Sequence, residues 1–288
     1  MIENKVLVTI AIPFYNSEKY LVYAIRSVIN QTYRNWELLL MDDGGKDGSM
    51  SIAREYASRD ARIRVVSDGE NRGLACRLNE SIAMAKGEIY ARMDDDDIMA
   101  IDRIETQVKF LATHPEVDVV GSSAMIIDGQ NEIIGSHDMS YHTQGFLHPT
   151  VMGRTKWFRE NPYAEWCRRS QDKELWMRTA PHSTFVNLQR PLLFYREVGT
   201  VSFEKYMRTR HASMAIAKHY RDYGKSSLWF IKEWIRNYIR IVSYYFFSKI
   251  GKIDYLVRRR DRHPISSFWV LHKTDLEQAI KMIKIYTC

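Results

Sequence analysis

Two clusters of aspartates have the residue type and spacing expected of a site for a metal-bridged phosphate. One is the pair Asp42-Asp43, and the other is the unbroken run Asp94-Asp95-Asp96-Asp97. Carboxylates this close together repel one another and are costly without a counter-charge, which a divalent cation supplies. Their oxygens favour Mg²⁺ or Mn²⁺, and Mg²⁺ is commonly shared between carboxylates and substrate phosphates. The clusters therefore predict a cation site that accepts a nucleotide diphosphate.

Each cluster also has a simpler interpretation. Asp42-Asp43-Gly44-Gly45 has the composition of a solvated turn, since aspartate and glycine both favour turns. The aspartate run could cap a helix over Ile98–Phe110, although capping asks for one or two acids rather than four. No G-x-G-x-x-G follows the first predicted strand, and no G-x-x-x-x-G-K-[ST] occurs in the sequence. We therefore expect a metal, and not a glycine loop, to hold the phosphates.

Both clusters follow predicted strands, which is where ligands of an open α/β sheet bind. Short apolar runs of strand length alternate with segments of helical period along this part of the chain. The predicted strands are Val6–Ile12, Trp36–Met41, Ile63–Val66, Glu88–Met93 and Val117–Gly121, and the predicted helices are Tyr20–Asn30, Ser49–Ala57, Leu74–Ala85 and Asp102–Thr113. This alternation predicts an α/β fold with a mostly parallel, Rossmann-like sheet flanked by helices.

The pattern is less regular in the remainder of the chain. The elements predicted there are a hairpin around Asp128–Asn131, a strand beginning at His148, a helix over Asp172–Thr179 and a strand over Ser183–Leu188. From Phe203 onward the pattern is helical and aromatic-rich. We therefore place a domain boundary near Val201, with a helical appendage over residues 202–288.

The charge is unevenly distributed between these two parts. The net charge is +7, but residues 201–288 carry 18 Lys and Arg against 7 Asp and Glu, so the first 200 residues are slightly acidic. Three widely separated cysteines argue against a disulfide framework and fit a reducing compartment. The first residues lack the layout of a signal peptide. We therefore expect a cytoplasmic catalytic part with a basic tail.

A helix predicted over Leu228–Ile250 dominates that tail. Lys232, Arg236 and Arg240 form a basic stripe at four-residue spacing beside a broad apolar and aromatic face. Such a helix suits the inner face of the plasma membrane, and Arg258-Arg259-Arg260 with Arg262 would add attraction to anionic lipid. The alternative is a helix packed on the catalytic domain or on the partner of a homodimer. The charge alone does not distinguish a membrane-bound helix from a packed one. A basic tail can also attract nucleic acid without sequence specificity.

With these residues assembled, the sequence resembles the family 2 glycosyltransferases of the GT-A fold. The resemblance covers about Val6 to Val201 and rests on an ordered set of short motifs. They are Ile12-Pro13-Phe14-Tyr15-Asn16, Ser27-Val28-Ile29-Asn30-Gln31-Thr32, Trp36-Glu37-Leu38 leading to Asp42-Asp43-Gly44, Asn71-Arg72-Gly73-Leu74, Ala85-Lys86-Gly87-Glu88, Ala91-Arg92-Met93 with the aspartate run, His148-Pro149-Thr150, Gln171-Asp172-Lys173-Glu174-Leu175-Trp176 and Tyr195-Arg196. It implies a catalytic domain over residues 1–201, with a nucleotide-sugar half over about 1–100 and an acceptor half over about 101–201.

The resemblance also implies roles for individual residues. Asp94 and Asp96 match the D-x-D pair that contacts ribose and metal-bridged diphosphate, so Mn²⁺ or Mg²⁺ is assigned to Asp96 and Asp94. Asp172 matches the general base of inverting members, although its position also suits the N-cap of the following helix. Contacts to the nucleotide sugar are implied for Pro13, Tyr15, Asp42, Asp43, Arg72, Asp94 and Asp95.

Two departures from the family pattern bear on the site. Gly44-Gly45-Lys46 stands where members usually carry Asp-Gly-Ser, which predicts a looser turn. Val198 stands where many members have a histidine, so metal ligation is expected from the D-x-D acids, phosphate and water. Arg196 is expected either to meet phosphate charge or to form a structural ion pair. His148 is expected to be a packed, hydrogen-bonded histidine outside the metal site.

The resemblance implies an inverting transferase that moves a sugar from a nucleotide diphosphate sugar, expected to be a UDP-sugar, to a hydroxyl of a glycan or lipid-linked acceptor in surface polysaccharide synthesis. The alternative is an inactive GT-A relative that binds carbohydrate or membrane. An aspartyl phosphotransferase fits less well, because such enzymes carry their D-x-D on the first strand and usually follow it with threonine. Specific nucleic-acid binding is not expected.

Overall fold

The computed structural model describes residues 6–141, 145–198, 203–222, 227–252, 274 and 277–281. Its strands are β1 (Val8–Phe14), β2 (Trp36–Asp42), β3 (Ile63–Val66), β4 (Ile89–Arg92), β5 (Ile98–Met99), β6 (Val119–Ile127), β7 (Ile133–His137), β8 (Met152–Arg154) and β9 (Phe185–Arg196). Its helices are α1 (Leu21–Ile29), α2 (Ser49–Arg59), α3 (Leu74–Met84), α4 (Arg103–Thr113), α5 (Thr155–Glu160), α6 (Gln171–Thr179), α7 (Phe203–Asp222) and α8 (Ser227–Lys249).

The strands form one sheet in the order β3-β2-β1-β4-β8-β6-β9-β5, with β7 paired to β6. The first four strands of this order pair in parallel, as predicted, and they carry both aspartate clusters at their carboxyl ends. Beyond β4 the pairing is mixed, because β8 runs antiparallel to both β4 and β6 while β6 and β9 are parallel. The predicted α/β class with a sheet flanked by helices is confirmed.

Helices cover both faces of the sheet because side chains of the buried strands alternate between two cores. In β1, Ile10 and Ile12 face a core shared with α1, α2 and α4, whereas Ala11 faces a core built with α3, α5 and α6. A strand buried on both faces has no exposed side, which accounts for the continuous apolar run that predicted β1.

In the second half of the sheet one predicted element is wrong and another is too short. His148-Pro149-Thr150 forms a 3₁₀ turn, and the strand begins later, at Met152. The last strand continues well past Leu188 to Arg196, although Pro191 interrupts its polarity pattern. The register of β9 against β6 shifts near Ser123 and Pro191, because proline supplies no N–H to the ladder. This irregularity hid the second half of the strand from a periodicity argument.

The described part of the appendage consists of α7 and α8, which pack on each other. The predicted helix over Leu228–Ile250 is confirmed as α8. Tyr220 of α7 donates a hydrogen bond to Glu174 of α6, and the His219 ring lies 4.4 Å from the Trp166 ring, so α7 contacts α6 and the segment before it. The proposed boundary at Val201 and the arginines 258–260 and 262 lie outside the described residues. Among the helices that are described, none has the length and apolarity needed to cross a membrane.

Candidate active site

The four consecutive aspartates form the connection between β4 and β5. Helix α4 begins only at Arg103, with Asp102 at its N-cap position, so the interpretation of the run as a helix cap is wrong. The short strand β5 intervenes and pairs with β9 at Ile98 and Met99. The run is therefore a strand-to-strand loop at the carboxyl edge of the parallel half, where a ligand can reach it.

The two ends of this loop are held by arginines. Arg92, only 1% exposed at the end of β4, donates a hydrogen bond to Asp94. At the other end the backbone N–H of Arg196 donates a 2.8 Å hydrogen bond to Asp97 Oδ1. Asp97 is fully buried, and burial together with the nearby Asp94 and Asp96 raises the pKa of its carboxyl well above its usual range. Asp97 is thus a structural acid inside the fold.

The middle of the loop faces the segment after β1. Asp95 Oδ2 accepts a 3.1 Å hydrogen bond from the Tyr15 backbone N–H and a second from the Ser17 hydroxyl. Burial raises the pKa of Asp95 to about 6. Burial and the charges of Asp94 and Asp95 raise the pKa of Asp96 to about 7. Both burial and the neighbouring carboxylates disfavour the ionised form of Asp96, whereas a bound cation would favour it.

Arg196 resolves one of the alternatives left open by the sequence. Its Nε donates to the Asp96 backbone carbonyl at 2.6 Å, its Nη1 to the Asp128 carbonyl at 2.7 Å, and its Nη2 to Asn131 Oδ1 at 2.6 Å. All three guanidinium nitrogens are therefore engaged with the protein. The group also lies over the Tyr20 ring, 4.3 Å from its centroid. Arg196 fastens the aspartate loop to the β6–β7 hairpin and is not aimed at phosphate.

The Asp42-Asp43 pair is buried at the end of β2. Asp42 Oδ2 accepts a 2.7 Å hydrogen bond from the Ser67 hydroxyl, and Asp42 is buried at the edge of the sheet. Asp43 Oδ1 accepts hydrogen bonds from the backbone N–H groups of Arg72 and Gly73, at 2.8 and 3.0 Å, and from Arg77 Nε at 3.1 Å. The pair is thus not a solvated turn, because its acids fix the loop before α3.

The glycine turn after this pair is tightly built. Gly44 has a φ of +73°, and a Cβ there would lie 2.8 Å from the Glu70 carbonyl carbon, so only glycine fits without rearrangement. A Cβ at Gly45 would lie 2.9 Å from the Asn16 backbone nitrogen. Asn16 Oδ1 in turn accepts a 2.7 Å hydrogen bond from the Lys46 N–H. The expectation of a looser turn is wrong, since Gly44 permits close approach of the loop after β3 and Gly45 permits close approach of the loop after β1.

The loop after β1 therefore connects the two aspartate clusters. Its Tyr15 and Ser17 bind Asp95, and its Asn16 binds the turn after Asp43. Pro13 is buried within β1, while the Tyr15 side chain is half exposed. The Arg72 side chain is largely exposed and lies 3.5 Å from Asp68. The residues implied to contact a nucleotide sugar thus occupy one continuous edge formed by the ends of β2, β1 and β4.

Asp172 lies in the first turn of α6 and not at its cap, because the helix begins at Gln171 and Ser170 holds the N-cap position. Burial raises the pKa of Asp172, Arg92 opposes that shift, and Asp94 adds to it. Asp172 therefore shares its electrostatic surroundings with Arg92 and Asp94.

Arg92 contacts the aspartate loop, although the motif analysis gave it no role. Its Nε and Nη1 atoms are buried and have no hydrogen-bond partner among the described residues. Arg103, which is also fully buried, donates to the Arg92 carbonyl at 3.0 Å, and burial and Arg92 lower its pKa to about 9. A charged residue inside the buried strand segment Ala91-Arg92-Met93 was the available signal, because an arginine is rarely fully buried without a partner.

His148 is packed as expected. It is buried, its Nε2 lies 2.9 Å from the Tyr163 hydroxyl, and burial together with Arg92 holds its pKa well below its usual range. A neutral histidine beside Arg92 adds no charge to the site.

The acids present suit a cation shared with a substrate. No group of three or more His, Cys, Asp or Glu side chains in the described part of the chain could enclose a metal without further ligands. Asp94 and Asp96 nevertheless remain partly exposed at the sheet edge, and burial together with the charges of Asp94 and Asp95 raises the pKa of Asp96. One or two carboxylates with substrate phosphates and water are a common environment of Mg²⁺. The donor set therefore fits a metal that is held jointly with a diphosphate.

Comparison with known sequences places this geometry in a family. Residues 9–178 match the profile of glycosyl transferase family 2, which is more than half of the chain. The chain belongs to glycosyl transferase family 2. It is a glycosyltransferase and is similar to the putative glycosyltransferase EpsE of Bacillus subtilis, with 34% identity over 202 residues that cover 66% of this chain and 73% of EpsE. The putative teichuronic acid biosynthesis glycosyltransferase TuaG of the same organism is 34% identical over 126 residues, covering 43% of this chain and 50% of TuaG.

Solved structures show the same fold. Residues 1–349 of TarS from S. aureus align with a TM-score of 0.62 and 17% identity over 95% of this chain and 80% of that one. The mannosyltransferase PcManGT of Pyrobaculum calidifontis, solved with GDP-Man and Mn²⁺, aligns with a TM-score of 0.58 and 17% identity over 97% of this chain and 82% of that one. At this level of identity, the likeness shows the GT-A fold alone.

Proposed function

We propose that this glycosyltransferase moves a sugar from a UDP-sugar to a hydroxyl of a glycan or lipid-linked acceptor, with inversion at the anomeric carbon. One observation carries the proposal: the run Asp94–Asp97 forms a loop at the carboxyl edge of the parallel strands, where it is hydrogen-bonded to the loop after β1. Asp172, whose pKa is raised by burial and influenced by Arg92 and Asp94, is the candidate base. TuaG, named for teichuronic acid biosynthesis, supports an acceptor in surface polysaccharide synthesis.

The donor is proposed to lie along the edge formed by the ends of β2, β1 and β4. Structures of TarS with UDP-GlcNAc and of PcManGT with GDP-Man support a nucleotide-sugar donor on this fold. Tyr15 supplies an exposed ring at this edge, and Asp95 fixes the backbone of the same loop. Asp43 acts mainly by holding the Arg72–Gly73 backbone in place. The donor contacts proposed are Pro13, Tyr15, Asp42, Asp43, Arg72, Asp94 and Asp95.

Asp94 and Asp96 are proposed to hold Mn²⁺ or Mg²⁺, as the Mn²⁺ complex of PcManGT supports. When bound, the cation stabilises the negative charge that grows on the diphosphate as the sugar–phosphate bond breaks. Arg92 keeps Asp94 oriented from inside the core, and Arg196 holds the Asp96 backbone. The protein thereby fixes both carboxylates before the donor arrives.

Asp172 is proposed to accept the proton of the acceptor hydroxyl. The hydroxyl oxygen forms the new bond to C1 of the sugar, and the bond from C1 to the diphosphate oxygen breaks with its electron pair on the leaving group. Attack from the face opposite the diphosphate inverts the anomeric carbon in one displacement. A raised pKa makes Asp172 a stronger base than an exposed aspartate, which favours proton transfer.

The exposed face of α8 is proposed to rest on an anionic membrane. Its apolar side chains at Ile231, Ile235, Ile239, Val242 and Phe246 recur every three or four residues, and each is about half exposed. The stripe Lys232, Arg236 and Arg240 flanks this face with positive charge. An amphipathic helix of this kind binds in the plane of a membrane surface. If a second copy of the chain covers this face of α8 instead, the membrane proposal is wrong.

The donor proposal is tested by titrating UDP-sugars into the protein with and without Mn²⁺ and following the melting temperature. A donor at about 100 times its Kd adds about 2.7 kcal/mol of stability. Asp96→Ala should remove the Mn²⁺-dependent part of the shift, whereas Asp172→Asn should retain it. If no UDP-sugar stabilises the wild type, the proposed donor is wrong and the proposal fails.

A further inference from the structure

A third hydrophobic core lies at the β5 edge of the sheet, distinct from the two cores on its faces. Among the described strands, β5 is the last of the order and pairs with β9 alone. Ala279 and Ile280, from the C-terminal region, pack into this core, although the family match ends at residue 178. The buried members are Ile98, Ala100, Met125, Ile127, Phe194 and Ala279, with Tyr23, Ile133 and Ile280 partly buried against them.

The C-terminal segment that closes this core has the pattern of one amphipathic helical turn. Residues 277–281 are helical, Ala279 is 6% exposed, and Ile280 is partly buried. The other three side chains of the segment are charged or polar and exposed. A helical segment this short is not stable by itself, so its conformation depends on packing against the core. The two apolar side chains therefore dock the segment.

The core adjoins the aspartate loop through β5. Ile98 follows Asp97 directly, is fully buried, and pairs with Phe194 of β9. Phe194 lies two residues before Arg196, whose backbone N–H binds Asp97. The Nε of the same arginine binds the Asp96 carbonyl. Because β5 has only two residues, its ladder is short, and side-chain packing must help to hold it in place. A displacement of β5 would therefore displace the Asp96 end of the loop.

Tyr23 forms a second connection between this core and the loop. Its side chain packs against the core from α1, and the Arg196 guanidinium lies 5.8 Å from the centroid of its ring. This spacing allows a cation–π interaction. The core thus supports both the strand that continues the aspartate loop and the arginine that fastens it.

We propose that residues 277–281 form a positioning segment for Asp96, the proposed metal ligand. Docked in the core, Ala279 and Ile280 hold β5 against β9, and this keeps the Asp96 carboxylate in place for the cation. The segment acts through Ile98 and Arg196 and is not itself a ligand. This inference rests on the proposed function, because it assigns the support of the same metal site.

The test compares Ala279→Asp with Gln278→Asp in the full chain. Both variants add one carboxylate to the same helical turn, but Gln278 is exposed and Ala279 is buried. A buried charge costs more than the contacts of one methyl group contribute, so the segment should leave the core only in Ala279→Asp. Amide hydrogen exchange of residues 96–100, measured without metal, should then become about tenfold faster, because local opening is easier. Exchange in β2 should not change.

The second measurement is calorimetric titration of UDP at a temperature where every variant is folded. In the presence of Mn²⁺, Ala279→Asp should bind UDP about tenfold more weakly than the wild type, whereas UDP without metal should bind equally to both. Gln278→Asp should match the wild type throughout. Ile280→Ala removes apolar contacts without adding a charge and should shift both measurements in the same direction by about threefold. It decides the question by the same criteria if Ala279→Asp does not fold.

Equal exchange of residues 96–100 in the undocked variant and the wild type overturns the proposal. Faster exchange throughout the sheet also overturns it, since the segment would then support the whole fold rather than the loop. Faster exchange confined to the loop, with unchanged UDP affinity in Mn²⁺, refutes the link to the metal ligand. If the wild type binds no UDP with Mn²⁺ while loop exchange still depends on Ala279, the proposed function fails and the support of the loop stands.

Discussion

Arg196 holds the backbone carbonyl of Asp96 through Nε at 2.6 Å, although the two residues are 100 positions apart in the chain. The same guanidinium holds the β6–β7 hairpin through Asp128 and Asn131. One buried side chain therefore connects the proposed metal ligand to the far half of the sheet. The geometry of the aspartate loop depends on this connection as much as on the acids.

Replacing Arg196 should affect stability and donor binding together. Arg196→Ala leaves three carbonyl acceptors without their donor and should lower the free energy of unfolding by about 3 kcal/mol. Displacement of Asp96 should also raise the Kd for the donor with Mn²⁺ about tenfold, since each tenfold change is about 1.4 kcal/mol. Urea unfolding and donor titration below the melting temperature measure the two effects. Loss of stability with unchanged donor affinity would show that the arginine serves the hairpin alone.

Asp43→Asn should destabilise the fold chiefly through Arg77. That arginine is fully buried, and its Nε donates to Asp43 at 3.1 Å. Losing the negative partner of a buried cation costs about 3–5 kcal/mol, and the remaining partners of Arg77 place this change near the lower end. Chemical denaturation of Asp43→Asn and the wild type measures this loss of unfolding free energy.

Glu80→Gln is the matched control for Asp43→Asn, because Glu80 is a more exposed partner of the same guanidinium. Its loss should be about 1 kcal/mol or less, as for solvent-exposed ion pairs. If both substitutions have the same effect, Asp43 does not have the structural role assigned to it.

The strands and the acids at their ends could be predicted from the sequence because each depends on local pattern. The continuous apolar runs of β1 and β2 determine where Asp42 and Asp43 fall. The roles of Arg92 and Arg196 could not be predicted in this way. Both contact the aspartate loop only after distant strands have paired, and an arginine in a strand has no local signature that separates a phosphate ligand from a structural residue. The short strand β5 was hidden for the same reason, since it exists only through its pairing with β9.

The proposed base should give transfer a distinctive pH dependence. Asp172 acts deprotonated, and burial raises its pKa, so activity should increase with pH through a midpoint above the usual value of about 3.9. The charge of Arg92 lowers the pKa of Asp172, and the charge of Asp94 raises it further. Initial rates of transfer at saturating donor, measured across pH, locate the midpoint. Asp172→Asn should lose this rise and retain about 10⁻² to 10⁻⁴ of the rate; an unchanged profile would assign the base elsewhere.

Membrane binding should depend on the apolar face of α8. Ile239 is 59% exposed, so Ile239→Glu should leave the fold intact while burying a charge in the lipid interface. Cosedimentation with vesicles rich in phosphatidylglycerol should fall at least about fivefold, a loss of about 1 kcal/mol. Ser51→Glu, an exposed position on α2, adds the same charge away from this face. Equal binding of both variants, or a dimer dissociated by Ile239→Glu, contradicts membrane docking.

The position of α8 beside Asp172 could not be predicted from the sequence. Its length and amphipathic pattern follow from its sequence, but which face packs and which stays exposed depends on α7 and α6. Trp229 and Trp234 belong to the same helix, yet Trp229 lines a cleft between α6 and α8, whereas Trp234 lies beside α7 and is 44% exposed. The periodicity of a helix identifies its apolar face but not the element that packs against that face.

The most direct test of the account is the metal-dependent transfer of sugar from a UDP-sugar by the wild type, Asp96→Ala and Asp172→Asn. The assay measures UDP release in the presence of Mn²⁺ and a glycan acceptor, and donor affinity is measured for each protein. The account predicts turnover by the wild type, loss of Mn²⁺-dependent donor binding and turnover in Asp96→Ala, and loss of turnover with donor binding retained in Asp172→Asn. Full turnover in Asp172→Asn, or metal-dependent donor binding by Asp96→Ala equal to that of the wild type, would contradict it.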